Sequence, residues 1–265
     1  MDVRSLGYRT DLMVLANNAV ISERGDHIVV ETPSIPSYWW GNFMLFPRSP
    51  AEDSFELWMT QFEASLGCME GVDHVAFGWD SPEGDLGTID PFVDAGFSLN
   101  RDDVLTAESV HPPARCNGEV TVRRLEGDGD WTSATELQIE CNDRIDPAQY
   151  RKFKEDQMRL NRQAAESGRA RWYGAFMGER LVADLGIYAE AGLGRFQSVE
   201  THPGFRRQGI CARLVYDSAR DAFDELDANT LVIVAEQGGP AGRVYRSAGF
   251  DWTENQVGAH RPPRS

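Results

Sequence analysis

The second half of the chain alternates between two hydrophobic patterns, one with the period of a strand and one with the period of a helix. Strand patterns occur at Val120–Leu125, Arg171–Gly178, Leu181–Glu190, Arg195–Thr201, Thr230–Glu236 and from Phe250 onward. Helical patterns occur at Trp131–Cys141, Pro147–Glu166, Gly209–Glu225 and Pro240–Ala248. Asp130 is the expected N-cap of the first of these helices, and Gly178–Arg180 is the expected turn of a hairpin. This alternation predicts an α/β fold.

The first half of the chain is less regular and is rich in tryptophan. Strands are predicted at His27–Thr32, Tyr38–Phe46 and His74–Trp79, and a helix is predicted at Ala51–Leu66. Large apolar residues recur at helical spacing in that helix. The spacing predicts that they lie in the hydrophobic core rather than in a ligand-binding site; they are Phe55, Trp58, Met59, Phe62 and Leu66.

The stretch Ala107–Gly118 separates the two halves. It contains two prolines and a glycine and has no apolar periodicity, which is typical of a linker. We therefore expect two domains, residues 1–115 and residues 116–265.

The two halves contain an internal repeat. The sequence PFVDAGF at Pro91–Phe97 parallels VYRSAGF at Val244–Phe250, and both halves read strand, proline, helix, strand, helix, AGF, strand. Shared order and spacing favour a duplication over chance. The residues after Pro47 contain no glycine turn and include two acidic side chains, so the first half is not expected to bind phosphate as the second half can.

The composition restricts the classes of partner. A net charge of −16 and a pI near 4.7 repel phosphate backbones, which disfavours nucleic-acid binding. The same charge attracts cationic molecules, amines included, although it can also serve solubility alone. No stretch reaches the roughly 20 apolar residues of a membrane helix. Charged residues interrupt the N-terminal segment Met1–Leu15, so no signal peptide is expected and the predicted location is the cytoplasm.

The cysteines and histidines do not have the spacing of a metal site. Neither a C-x-x-C pair nor an H-E-x-x-H sequence occurs, so we expect no metal, no disulfide framework and reduced thiols at Cys68, Cys116, Cys141 and Cys211.

The segment Val199–Ala212, VETHPGFRRQGICA, has the features of an anion site. A strand ends at Thr201, Pro203 stops it, and a glycine turn opens the next helix. N–H groups at a helix N-terminus and the helix dipole attract phosphate, and two arginines add positive charge to an otherwise acidic protein. Neither a Walker A sequence nor G-x-G-x-x-G is present, so the classes of nucleotide site that carry those motifs are not predicted.

At these residues the chain resembles the GNAT superfamily of N-acetyltransferases, whose members carry V-x-P followed by [QR]-x-x-G-x-[GA]. Here the residues are Thr201–Pro203 and Arg206–Cys211, with cysteine at the last small position. The family's tyrosine ahead of a GF pair is found in Val244–Phe250. The asparagine that usually stands seven residues before that tyrosine is replaced by Gly238.

The resemblance covers Glu119–Arg261 and implies a GNAT fold, with a mixed central sheet flanked by helices. The first half resembles a truncated, degenerate copy, as in tandem GNAT proteins. The implied activity is transfer of an acetyl group from acetyl-CoA to an amine by direct attack, with no metal. The expected partners are acetyl-CoA and an amine acceptor, without nucleic acid or membrane, in a monomer or a homodimer.

The resemblance also implies the site residues. The backbone of Val199 and Thr201 would pair with pantetheine, and the amides of Arg207–Ala212 would hold the pyrophosphate. Tyr245 would assist the departing thiolate. The implied coenzyme-binding residues are Val199, Thr201, Arg206, Arg207, Gln208, Gly209, Ile210, Cys211 and Ala212.

Acetylation of an amine also requires a base, because an alkyl ammonium has a pKa near 10.4 and must lose a proton before it attacks. If strand alternation holds, Glu200 and His202 point to the face opposite Val199 and Thr201. Glu200 is the expected catalytic base, directly or through water, and a solvated carboxylate is the equal alternative. Asp184 and Glu190 on the preceding strand are further candidates. An N–H near Val199 can stabilise the oxyanion.

Two other functions stay open. A non-catalytic acyl-CoA-binding or regulatory module would fit Gly238 and Cys211. A protein acetyltransferase would share the same coenzyme site and differ only in the acceptor.

Overall fold

The computed structural model describes residues 1–142 and 147–263. The chain forms two compact units. One contains Met1–Val104 and Thr253–Ser265, and the other contains Leu105–Trp252. The boundaries of the units fall within two strands.

The helices and strands alternate through both units. The helices are α1 (Leu6–Leu15), α2 (Ser54–Ala64), α3 (Asp90–Asp94), α4 (Gly127–Glu140), α5 (Pro147–Glu166), α6 (Ile210–Glu225) and α7 (Pro240–Ser247). The strands are β1 (Val20–Arg24), β2 (His27–Glu31), β3 (Phe43–Phe46), β4 (Val75–Trp79), β5 (Ser98–Ala107), β6 (Thr121–Arg124), β7 (Ala170–Met177), β8 (Arg180–Glu190), β9 (Leu193–Thr201), β10 (Thr230–Glu236) and β11 (Asp251–Arg261).

The first unit is a mixed sheet with the order β1-β2-β3-β4-β11-β5. β1, β2 and β3 are antiparallel neighbours, β3 and β4 are parallel, and β11 is antiparallel to β4. β3 and β4 read as continuous apolar runs and are buried throughout. Their core contains the large residues that the helical spacing predicted. Trp58 and Phe62 of α2 and Leu66 in the 3₁₀ turn that follows it are buried, and Phe55 and Met59 are partly buried.

The second unit has the strand order β6-β7-β8-β9-β10, and helices pack on its sheet. β6 to β9 are antiparallel neighbours, and β10 is parallel to β9. β7 and β8 alternate between two buried faces. Leu185 and Ile187 lie in the core with residues of α6, while Trp172 and Asp184 are hydrogen-bonded on the side of α4. The expectation of a mixed α/β sheet flanked by helices is confirmed.

Most of the predicted elements are present within two or three residues of their predicted ends. The strand predicted at Tyr38–Phe46 is wrong in its first part, where Trp39–Gly41 forms a 3₁₀ turn and only Phe43–Phe46 is extended. The side-chain amide of Asn42 donates to the carbonyls of Ile35 and Tyr38, which holds this segment in a loop.

The predicted helix start at Asp130 is also wrong. α4 begins at Gly127, and Asp130 lies one turn inside it. The Asp130 carboxylate accepts from the backbone N–H of Glu126 and from the Arg123 guanidinium, so the carboxylate closes the first turn from inside the helix. α1 and β1 were not predicted as elements, and α3 corresponds to the helix that the repeat predicted before the first AGF triplet.

Candidate functional site

The parallel pair in the second unit is joined over only part of its length. β9 and β10 are in register at Leu193–Arg195 against Thr230–Val232. Both strands continue, to Thr201 and to Glu236, but in the described part of the chain the ladder between them does not. A sheet with such an interruption presents strand edges to a gap where another extended molecule can pair.

A β-bulge marks the same part of β9. The register with β8 shifts between Asp184 and Gly186, and Ser198 has a φ of +51°. A bulge bends its strand and re-aims the neighbouring groups. The carbonyl of Ser198 accepts a hydrogen bond of 2.8 Å from the side-chain amide of Gln138 on α4. The neighbouring Val199 is partly buried and packs against the core of the second unit.

The parallel pair of the first unit, β3 and β4, has no such gap. β3 and β4 are in register from Met44 and Phe77 through Phe46 and Trp79, which are the last residues of both strands. The Phe46 ring stacks on Trp58 of α2 with centroids 3.8 Å apart. Aromatic side chains therefore pack beside this closed pair.

A turn with left-handed backbone leads from β9 into α6. Arg207 has a φ of +64° and Gly209 a φ of +77°. Gly209 is the N-cap of α6 and provides no side-chain cap. The N–H of Arg213 makes a helical bond to the carbonyl of Gly209 at 3.1 Å. The N–H groups of Ile210–Ala212 precede it, and the first N–H groups of a helix have no partner inside the helix. This arrangement suits an anion.

The segment Arg115–Asn117 holds the turn in place through hydrogen bonds and a close backbone approach. The side-chain amide of Asn117 donates to the carbonyl of Gln208 at 3.1 Å, and its backbone N–H donates to the carbonyl of Gly209 at 3.3 Å. A Cβ at Gly209 would lie 2.8 Å from the carbonyl oxygen of Arg115. The turn therefore needs glycine both for its backbone conformation and for this close approach.

The predicted basic and polar residues of the turn lie at the surface. Arg206, Arg207 and Gln208 are exposed. Nε of Arg206 donates to the carbonyl of Thr201 at 3.0 Å, which ties the turn to the end of β9. Ile210 and Ala212 are buried and Cys211 is partly buried, so the start of α6 is held by packing while its N–H end faces the turn.

Tyr245 lies on α7 in the core of the second unit and is 4% exposed. Its hydroxyl makes no hydrogen bond to any residue that the structure describes. Burial raises the pKa of Tyr245 well above its usual value, and the charges of Cys211 and Glu200 raise it further. The phenol is therefore protonated and can donate a hydrogen bond. Burial also raises the pKa of the Cys211 thiol to about 12, which disfavours a thiolate nucleophile there.

Glu200 and Asp184 are directly opposite each other in the β8–β9 ladder, so their side chains share a face. Asp184 is fully buried and accepts hydrogen bonds from Trp172 Nε1 at 2.9 Å and from Gln138 Nε2 at 2.8 Å. Burial raises the pKa of Asp184 to about 7, against the opposing effect of these two donors. Such a pKa is suited to proton transfer near neutral pH.

The other candidate bases lie elsewhere. Glu190 is opposite Leu193, at the far end of the ladder from Glu200. His202 follows the end of β9, where Nδ1 accepts from the N–H of Gly204 and Nε2 lies 3.3 Å from Glu140.

Sequence reasoning missed several residues around the two carboxyls. Gln138 lies on α4, Cys141 is the residue that follows α4, and Tyr150 and Lys154 lie on α5. The charges of Asp184 and Glu200 act on the last three of these residues. The helices were predicted, but weak periodicity amid many charges did not reveal which face of α5 is buried. Asn117 was missed because it lies in the segment interpreted as a linker.

An antiparallel sheet that ends in an interrupted parallel pair, followed by a glycine turn at a helix start, is the architecture of the GNAT fold. Residues 131–250 match the sequence model of the acetyltransferase (GNAT) family. The matching stretch lies within the second unit, Leu105–Trp252. Proteins of this family take the acetyl group from acetyl-CoA. No curated protein matches the chain significantly.

Solved structures resemble the chain over almost its whole length. A functionally unknown conserved protein from Staphylococcus epidermidis ATCC 12228 has a TM-score of 0.69 at 12% identity, covering 92% of this chain and 93% of that one. A GCN5-related N-acetyltransferase from Kribbella flavida has a TM-score of 0.64 at 15% identity, covering 98% and 97%. One from Sphaerobacter thermophilus has a TM-score of 0.58 at 16% identity, covering 91% and 82%. At these identities the similarity shows a shared fold.

Two negative findings apply to residues 1–142 and 147–263. No helix there is long and apolar enough to cross a membrane. No three side chains of the metal-binding types come together in a way that could hold an ion.

Proposed function

We propose that the second unit transfers an acetyl group from acetyl-CoA to the amine of a small acceptor. The observation that carries this proposal is the gap between β9 and β10, in a unit that also contains the glycine turn at the start of α6 and a Tyr245 hydroxyl with no hydrogen bond to a described residue. A phosphate-binding turn alone would fit many ligands. A turn next to an open strand edge fits a ligand with a pyrophosphate and a long amide-bearing arm.

The coenzyme is held mainly by backbone groups in this proposal. The N–H groups of Arg207–Ala212 bind the pyrophosphate, and the charges of Arg206 and Arg207 add to the attraction. The edge of β9 at Val199 and Thr201 pairs with the amides of pantetheine as a further strand would. Asn117 keeps the turn in the conformation that directs its N–H groups outward.

The chemistry is a direct attack on the thioester. Glu200 takes a proton from the acceptor ammonium, directly or through a water, and Asp184 stands beside it as a second carboxyl. The amine nitrogen then bonds to the carbonyl carbon, while the N–H of Val199 stabilises the oxygen that gains charge. When the carbon–sulfur bond breaks, the hydroxyl of Tyr245 donates a hydrogen bond to the leaving thiolate. The nitrogen's second surplus proton passes to that sulfur, so the products are the N-acetylated acceptor and coenzyme A as a thiol, with the first proton on Glu200. The raised pKa of Cys211 supports direct attack over an acyl-cysteine.

The experiment combines binding with turnover. Titration calorimetry is expected to show binding of acetyl-CoA, and thiol release is expected with members of a panel of primary amines. Tyr245→Phe should keep the coenzyme affinity and reduce kcat by about 100-fold, because the leaving thiolate loses its donor. Tyr216→Phe, on α6, is the matched control and should retain kcat. Absence of binding at millimolar acetyl-CoA would refute the proposal.

A second candidate is a non-catalytic acyl-CoA-binding or regulatory module. Gly238, at the position where the family usually has asparagine, favours it. Binding of acetyl-CoA with no turnover of any amine, and no effect of Tyr245→Phe, would favour this candidate. Basic peptides in the same panel test the protein acetyltransferase, which differs only in the acceptor.

We further propose that the sequence halves, residues 1–115 and 116–265, are two copies of one GNAT-like domain and that only the second binds coenzyme. The order α1-β1-β2-β3-α2-β4-α3-β5 corresponds to α5-β7-β8-β9-α6-β10-α7-β11, with the same pairing directions along the first four strands of each set. The paired ends of β3 and β4 leave no edge for pantetheine. Calorimetry should therefore give one acetyl-CoA per chain, and a stoichiometry of two would contradict the assignment.

A further inference from the structure

Lys154 carries a buried ammonium group on α5. The residue is 6% exposed, and Nζ donates a hydrogen bond of 2.8 Å to Oε1 of Gln157. The rings of Tyr150 and Phe153 have their centroids 5.5 Å from Nζ. In the described part of the chain, no carboxylate lies within the 4.0 Å of an ion pair. Because an ammonium has three N–H donors, Lys154 has donors left for a further partner.

The other lysine of the chain lies at the surface and forms an ion pair. Lys152 has a side chain that is 82% exposed, and it pairs with Asp156 at 3.1 Å. A buried ammonium without a paired carboxylate is unfavourable, and it shifts the equilibrium toward the neutral form. Burial lowers the pKa of Lys154 to about 8, so the group is still mainly charged at pH 7. Among residues 1–142 and 147–263, no close ion pair to Lys154 offsets this cost.

The ammonium belongs to the same region as the two carboxyls of the proposed acceptor site. The charges of Asp184 and Glu200 both act on Lys154, and that of Lys154 acts on Asp184. Gln138 joins this region to the bulge, since its amide donates both to Asp184 Oδ1 and to the carbonyl of Ser198. The acceptor side of β9 thus has carboxyls beside the bulge. α5, which carries Lys154, packs against the same strand as Asp184, since the hydroxyl of Tyr188 on β8 donates to Asn161 of α5 at 2.9 Å. A ligand with charges of both signs matches that arrangement.

We propose that Lys154 binds a carboxylate of the acceptor, so that the acceptor is an amino carboxylate of the amino-acid type rather than a simple cationic amine. The inference rests on the proposed acetyl transfer. The acceptor's ammonium is directed to Glu200 and Asp184, and its carboxylate accepts from Nζ of Lys154. The net charge of −16 alone would favour a polyamine, and Lys154 discriminates against it because an added cation there would face a buried ammonium.

The experiment compares amines that differ in one carboxylate. The panel pairs each amino acid with its decarboxylated amine and its methyl ester, and acetyl-CoA turnover is measured with the full chain. The wild-type protein should prefer the amino acid in kcat/KM by about 10- to 100-fold, the usual effect of one charge-assisted hydrogen bond. Lys154→Met should abolish this preference, so that the ratio of kcat/KM for the amino acid to kcat/KM for its decarboxylated amine falls to about one. Lys152→Met is the control and should keep the preference.

A binding measurement on the unaltered protein covers the case in which Lys154→Met does not fold. Lys152 and Lys154 are the two lysines of the chain, so lysine-directed reductive methylation separates into two sites by mass. Saturating amino acid should protect Lys154, while the decarboxylated amine should not. Equal protection by both, or equal turnover of both, would overturn the role of Lys154 and leave acetyl transfer intact. Acetyl-CoA binding without turnover of any amine would instead refute the proposed function.

Discussion

Gly209→Ala tests whether the turn before α6 is shaped for a ligand. A non-glycine residue in the left-handed region costs about 1 kcal/mol. The new Cβ would also lie 2.8 Å from the carbonyl oxygen of Arg115, closer than side-chain carbons approach backbone oxygens, so one of the two segments must move. The bond from the Asn117 N–H to the Gly209 carbonyl is already 3.3 Å long and would be lost, at a further cost of about 1 kcal/mol.

The combined expectation is a loss of about 2 kcal/mol in the free energy of unfolding, measured in urea. The affinity for acetyl-CoA, measured by calorimetry, should fall by about tenfold or more, since the loop N–H groups are displaced from the phosphates. Gly168→Ala is the matched control, because Gly168 has a φ of +81° and open space around its Cβ position. If both variants lost the same stability and the coenzyme affinity of Gly209→Ala equalled that of the wild type, the reasoning would be refuted.

Three further predictions follow from the second unit. Asn117→Ala should weaken acetyl-CoA binding severalfold in calorimetry and lower the free energy of unfolding by about 1–2 kcal/mol, because the carbonyls of the turn lose their donor; an unchanged affinity would contradict it. Gly186→Ala should cost more than about 2 kcal/mol in urea, because the Cβ would overlap the Trp172 ring, whereas Gly118→Ala, with nothing nearby, should be neutral. Between the usual pKa of 3.8 and the folded pKa of about 7, Asp184 binds more protons when folded. The free energy of unfolding should therefore fall as the pH rises through this range, and Asp184→Asn should flatten the profile; equal slopes in both proteins would argue against the raised pKa.

The sequence was sufficient where local chemistry determines structure. α5 begins at Pro147, where a missing N–H has no cost, and it begins and ends at the predicted residues. Gly209 was identified because a positive φ at the start of a helix favours glycine. The coenzyme turn is thus encoded by consecutive residues.

The features that give the site its chemistry depend on distant partners and could not be predicted. The bulge at Ser198 becomes visible only through the register with β8. Burial of Lys154 and the two donors to Asp184 depend on how α4 and α5 pack on the sheet. Asn117 had no detectable signal, since an asparagine in a proline-containing segment looks like any turn residue. Tertiary packing decided each of these positions.

The pairing of β11 with β4 has a consequence for how the chain folds while it is being synthesised. This strand follows the repeated AGF triplet of the second half, yet Val257–Arg261 pairs with β4 and places Val257 and Ala259 in the core of the first unit. While the ribosome is still translating the region between β4 and β11, β4 has already emerged, but β11, which pairs with one of its edges, has not. An apolar strand with an open edge is prone to pair with other chains. The nascent first unit is therefore expected to depend on chaperones until β11 has been synthesised, and a ribosome stalled before β11 would release an aggregation-prone product.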